Sequence, residues 1–142
     1  MTSFIYDSAT FKSVTGGVDL DTDSFKVLLV TSAYTPNQKT HANRSDITGE
    51  VAAGGGYTTG GQAVTVSVTN DTANDRTDIT LGGTTFSAVT LTARGAVYYK
   101  NTGVASTDSL VCYIDFGSDL SPAGVALILA SSIWRIPSPV VA

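Results

Sequence analysis

Few side chains in this sequence are of a type that does covalent or metal chemistry. There is one cysteine, Cys112, and one histidine, His41. Nucleophilic catalysis needs a hydroxyl or thiol beside a base. Cys112 sits in the alternating apolar run Leu110-Val111-Cys112-Tyr113-Ile114, where a thiol behaves as a small buried hydrophobe. His41 lies in a polar stretch and reads as a solvated imidazole. A zinc centre wants three or four Cys or His ligands, more than the chain holds.

The carboxylates are more suggestive. Asp19, Asp21 and Asp23 alternate as at the start of a calcium loop, but the position that should be glycine is Ser24 and the one that should be glutamate is Val30. These three acids are therefore expected to bond backbone amides in a turn before the next strand. Glu50 is the one glutamate, so a paired-carboxylate glycosidase has little to build on. The runs Gly54-Gly55-Gly56 and Gly60-Gly61 lack the Lys and Ser or Thr of a phosphate loop. No catalytic residue, metal ligand or cofactor site is assigned, and the chain is not expected to be an enzyme.

The scaffold that must position these residues is legible in composition. The chain has 142 residues, 42% hydrophobic and only 14% charged, with a formal net charge of −4. That length suits one domain, 1–142, with a single core. Thr, Ser, Asn and Gly supply the polarity that charge does not, as half-buried strands and tight turns require. An acidic balance disfavours nucleic acid as a partner. The longest apolar run, residues 125–130, is strand-sized, so no membrane span is expected. The first residues lack the basic and long apolar regions of a signal peptide, which predicts a protein made and kept in a cytoplasm.

Periodicity predicts a short helix over residues 5–11, with Ile5, Ala9 and Phe11 on one side and Gly16-Gly17 as its stop. Residues 24–31 form a strand apolar on both faces, hence central. Residues 34–57 form a long polar loop with a helical turn around 44–50. Val64, Val66 and Val68 alternate with Thr65, Ser67 and Thr69 as one strand with a wet face. A turn at 70–75 leads to strands 77–81 and 85–91, where a phase slip between Ala88 and Val89 predicts a bulge. Residues 95–100 and 110–116 pair as an antiparallel hairpin, and Tyr98-Tyr99 place one ring on each face. Strands at 125–129 and 133–136 follow, and Pro137 and Pro139 release an extended tail, residues 137–142. Seven or eight short strands with no crossover helix predict an all-β fold. It is an antiparallel two-sheet sandwich or jelly-roll-like barrel with a short N-terminal helix.

Several of these segments together resemble one family. Tyr6-Asp7, Gly16-Gly17-Val18-Asp19-Leu20-Asp21-Thr22-Asp23-Ser24-Phe25-Lys26-Val27, and Tyr34-Thr35-Pro36 leading to His41 form its first part. Gly56-Tyr57-Thr58, Ala96-Val97-Tyr98-Tyr99-Lys100-Asn101-Thr102-Gly103, Leu110-Val111-Cys112-Tyr113-Ile114-Asp115-Phe116 and Trp134-Arg135-Ile136 complete it. The sequence is similar along nearly its whole length to small structural virion proteins of tailed bacteriophages. The resemblance implies a virion component assembled in the host cytoplasm, foremost a capsid decoration or cement protein. Its partners would be the major capsid protein or other virion subunits, including copies of itself as a homo-oligomer. It brings no catalytic residues.

Two other roles remain open on the residues: a tail, adaptor or head-fibre component, and a carbohydrate-binding adhesion module using exposed tyrosines and calcium at Asp19, Asp21 and Asp23. For assembly, three contact regions are expected. They are the N-terminal segment at Phe4 and Tyr6, the long loop at Arg44 and Tyr57, and the tail at Pro137 and Val140.

Overall fold

The computed structural model describes residues 2–141. Among these residues the chain forms β1 (Phe4–Ile5), α1 (Asp7–Thr15), β2 (Phe25–Val30), β3 (Gln62–Val64), β4 (Val66–Asp71) and β5 (Arg76–Leu81). It continues with β6 (Thr84–Thr90), β7 (Ala93–Lys100), β8 (Leu110–Leu120), β9 (Ala123–Leu129) and β10 (Ser132–Pro137). The fold is the expected all-β sandwich with one short helix, and its barrel is not closed.

The first sheet has the order β1-β8-β7-β2-β3, all antiparallel. As expected, β2 is internal and buried on both faces. Val27, Leu29, Ala96, Tyr98 and Cys112 face a core shared with Ile79, Leu81, Phe86, Val89, Leu127 and Leu129 of the second layer. Leu28, Val30, Val97, Tyr99, Leu110 and Tyr113 belong to a second core, covered by Tyr6 and Ala9 and by Tyr34 of the long loop. Three layers result: helix and loop, first sheet, second sheet. Each fully buried Val or Leu in these layers contributes about 1.5–3 kcal/mol of transfer free energy. Tyr98 and Tyr99 divide between the two cores, so both are interior. Burial makes Cys112 the inert hydrophobe expected of it and pushes its thiol pKa up.

The second layer is β10-β5-β4 together with β6-β9. Ser132 faces Leu81 and Leu129 faces Thr84, so one register continues from the β5/β10 pair into the β6/β9 pair across Gly82-Gly83. The predicted bulge is present: register shifts between Phe86 and Val89, where Ala88 has φ 49°. The Gly54-Gly55-Gly56 run crosses this bulge, with the Thr90 N–H donating to the Gly55 carbonyl at 2.8 Å.

Five expectations are corrected. The helix is Asp7–Thr15 rather than 5–11, because the Tyr6 N–H donates to the Val111 carbonyl and holds the preceding residues in a strand. Ala9 is buried as expected, but Phe11 is exposed and Ile5 lies in β1. The single strand expected at Val64, Val66 and Val68 is two strands. β3 pairs with β2 and β4 with β5, and the Thr65 carbonyl at the corner accepts the Gly82 N–H at 2.7 Å. Pro137 is the last residue of β10, opposite Arg76, rather than the start of the tail. The strands number ten among the described residues rather than seven or eight. The helical turn expected at 44–50 is a three-residue 3-10 turn, Arg44–Asp46.

Candidate functional site

The long loop is pinned by polar side chains that the sequence offered as contacts or chemistry. Tyr6 is fully buried, its hydroxyl 2.8 Å from that of Tyr34, which lies 2.9 Å from His41 Nδ1. The Asn37 N–H also donates to Nδ1, and the imidazole stacks on Tyr34. His41 is therefore a half-buried bonded post rather than a solvated ring. Burial, reinforced by the Tyr34 bond, pushes the Tyr6 phenol far up. It stays a neutral hydrogen-bonding group.

Tyr57 is likewise interior. Its hydroxyl accepts the Leu29 N–H at 3.1 Å and donates to Glu50 Oε1 at 2.9 Å. Arg44 is held at Nε by Asp108 Oδ2 at 2.7 Å and lies over the Tyr99 ring at 5.4 Å. Burial pushes the Tyr99 phenol up to about 12, although the Arg44 charge pulls the other way. The carboxylate of Asp46 accepts the Ala42 and Asn43 N–H groups, which hold its pKa below the ordinary value. These groups fasten residues 31–61 to the sheets, Tyr34 on the outer face of the first and Tyr57 in the core between the two. Tyr6 and Tyr57 are thus core residues rather than surface contacts, while Arg44, its side chain 21% exposed, pins the loop.

The acidic turn behaves as the residues implied. Asp19 Oδ1 accepts the Asp21 and Thr22 N–H groups, Asp23 Oδ2 accepts the Asp19 N–H, and Asp23 also pairs with Lys100 at 2.9 Å. All six tyrosines, Tyr6, Tyr34, Tyr57, Tyr98, Tyr99 and Tyr113, are buried. The exposed-tyrosine sugar platform is overturned on that observation.

Of the remaining sequence candidates, Phe4 borders a different place, which Pro137 and Val140 do not line. The two sheets are joined at the Thr65 corner and stay apart on the opposite side, between β1 and β10. There Ser3, Phe4 and Ile5 form one lip, and Ser132, Ile133, Trp134 and Arg135 form the other. Leu81, Cys112 and Ile114 form the floor of a seam of about 330 Å³. Phe4 borders it, but its ring packs against Tyr6 and Tyr113 of the helix-and-loop core.

The β10 lip is an open strand edge, since β10 pairs with β5 alone among the described residues. The Ser138 N–H donates to the Asp75 carbonyl directly across the ladder. Bonded pairs alternate along an antiparallel ladder, so Ser132, Trp134 and Ile136 also bond β5. Ile133 and Arg135 then direct their N–H and C=O groups to the free edge. Pro137 sits on that same free side, where its missing N–H costs nothing. Beyond it Val140 and Val141 are 99% and 90% exposed.

The seam, the free edge and the exposed Ile128 and Ile133 beside it were not read from the sequence as a site. The available signal was the run from Gly124 to Trp134, which carries no charge. Comparison of the chain with family models, with curated proteins and with solved structures finds no match in any of the three.

Proposed function

We propose that this chain is a structural subunit of a tailed-bacteriophage particle, foremost a capsid decoration or cement protein bound to the major capsid protein or to neighbouring virion subunits. The observation that carries the reading is the open β9/β10 side of the sandwich. It combines backbone groups at Ile133 and Arg135 that find no strand partner among the described residues with exposed Val125, Ile128 and Ile133 and with the apolar tail residues Val140 and Val141. An edge of this kind is a template for pairing with another chain. The sequence resemblance to virion proteins supports the same reading. Many copies on a symmetric shell turn individually modest contacts into stable attachment.

A second reading, a tail, adaptor or head-fibre component, is favoured by the separation of tail and seam on one molecule, because head-to-tail contacts close into rings. Copy number discriminates between the two. Quantitative gel analysis of purified particles is expected to find the chain at on the order of hundreds of copies, as avidity on a shell requires. A count matching one small ring moves the chain to the tail or adaptor. Particles without it sink both readings.

A further inference from the structure

We propose that the seam between β1 and β10 accepts residues 139–141 of a second copy of this chain, laid as an added strand along the free edge of β10. The inference deepens the assembly reading and rests on it.

The seam itself defines its occupant. Free N–H and C=O groups at Ile133 and Arg135 are satisfied by an extended backbone, as in recognition by strand addition. Leu81, Cys112, Ile114 and Trp134 call for apolar side chains. Arg135 is exposed on the lip, with its Nε 3.6 Å from Asp78 Oδ1. A basic segment would be repelled there, and a neutral one is not.

Among the described residues only the tail meets all three conditions. Phe11 and Val14 are exposed but helical, and Val104 lies in the turn tied by the Thr107 and Asp108 N–H groups. Val125 and Ile128 belong to β9, already laddered to β6. Residues 139–141 lie outside every helix and ladder, are without charge, and carry Val140 and Val141. Both are β-branched and so suited to a strand.

The same molecule's tail cannot fill its own seam. Ser138 is bonded to Asp75 at the far end of β10, while the seam is lined by Ser132 to Arg135. Residues 139–141 span about 10 Å when extended, and reaching back past Pro137 to Ser132 needs about 17 Å after a chain reversal. The occupant therefore comes from another copy. A three-residue strand buries far less than the roughly 1,200 Å² of a stable isolated interface, so each contact is weak and gains strength through ring closure or a shell.

The sole tryptophan, Trp134, lines the seam and reports on it directly. Full-length chain is compared by sedimentation and Trp134 emission, from about 1 µM to about 1 mM, with a chain ending at Ser138. Full-length chain is expected to associate with a blue shift of Trp134. The truncated chain is expected to associate at least roughly tenfold more weakly.

The full-length Val140→Asp variant is expected to behave like the truncation. Mixing the truncated chain, which keeps the seam, with the full-length Arg135→Pro variant, which keeps the tail, is expected to restore association. If Arg135→Pro does not fold, a synthetic peptide of residues 136–142 titrated into the truncated chain replaces that arm, with the same blue shift expected. Undiminished association of the truncated chain overturns the proposal, as edge-to-edge β10 pairing would produce, and so does a Trp134 emission indifferent to the peptide. Those outcomes leave the particle copy number, and with it the assembly reading, standing.

Discussion

Replacing Gly61 by alanine is expected to destabilise the fold by about 3–5 kcal/mol, the sum of left-handed strain and an unrelieved steric conflict. Gly61 has φ +76°, and a Cβ there would meet the Val27 carbonyl oxygen and lie 2.7 Å from Leu28 Cα. Both are backbone atoms of β2, which is laddered to β7 on one side and β3 on the other. The strand cannot move aside without breaking one of those ladders. At roughly 3–4 °C per kcal/mol for a domain of this size, the thermal midpoint should fall by on the order of 10–20 °C. Gly103→Ala is the control. Gly103 also has positive φ, but a Cβ there meets nothing within 4 Å, so only the conformational cost of about 1–2 kcal/mol remains. Equal loss in the two variants, measured by thermal or urea unfolding, would mean that close approach to β2 is not what Gly61 provides.

Removing Arg44 is expected to cost about 3 kcal/mol, because it strands a buried charge. The Asp108 side chain is 0% exposed and is held by Arg44 Nε at 2.7 Å, by the Thr102 N–H at 2.6 Å and by Thr102 Oγ1 at 2.8 Å. Burial alone would raise the Asp108 pKa. The Thr102 and Arg44 bonds outweigh it, and the net direction is down from 3.8. A carboxyl with a depressed folded pKa contributes stability that is full above its unfolded pKa and is lost as pH falls through the folded one. In Arg44→Ala the Arg44 contribution to that depression is removed, while the Thr102 bonds remain. The stability gap between wild type and variant should therefore be widest near neutrality and narrow below a pH of about 4.

A double-mutant cycle with Asp108→Ala should give a coupling of about 2 kcal/mol. Additive single effects would show that Arg44 acts only through its packing on Tyr99. Since Arg44 ties the 3-10 turn to the loop that carries Thr102, its loss should also loosen residues 31–61 before the sheet unfolds.

How far the sequence reveals this molecule depends on which physical signal each element leaves. β2 is legible because Val27 and Leu29 serve one core while Leu28 and Val30 serve the other. The bulge at Ala88 is legible because a phase slip is its direct imprint on the apolar pattern. The corner at Thr65 leaves no such imprint. Val64, Val66 and Val68 keep one alternation through it, so a strand that changes sheets looks like a strand that does not.

The same limit applies to the contact residues. Residue type places neither Tyr6 nor Tyr57, because a tyrosine with a hydroxyl partner is equally at home inside or outside, and no periodic pattern marks the partners, Tyr34 for Tyr6 and Glu50 for Tyr57. Pro137 signals an edge strand or a chain end with equal force, and only the ladder to Arg76 decides for the edge. The open seam is invisible to composition altogether. It is a property of which strands fail to meet, and that is set by the pairing of β1 with β8 and of β10 with β5.

Amide hydrogen exchange at Ile133 and Arg135 tests most directly whether the open edge of β10 is the surface by which this protein joins others. In dilute chain these two amides should exchange quickly while those of Trp134 and Ile136, bonded to β5, are protected. In the assembled state all four should be slow. Fast exchange at Ile133 and Arg135 in assembled material would contradict the account, because the edge would then be as unpaired in the assembly as it is in the single molecule.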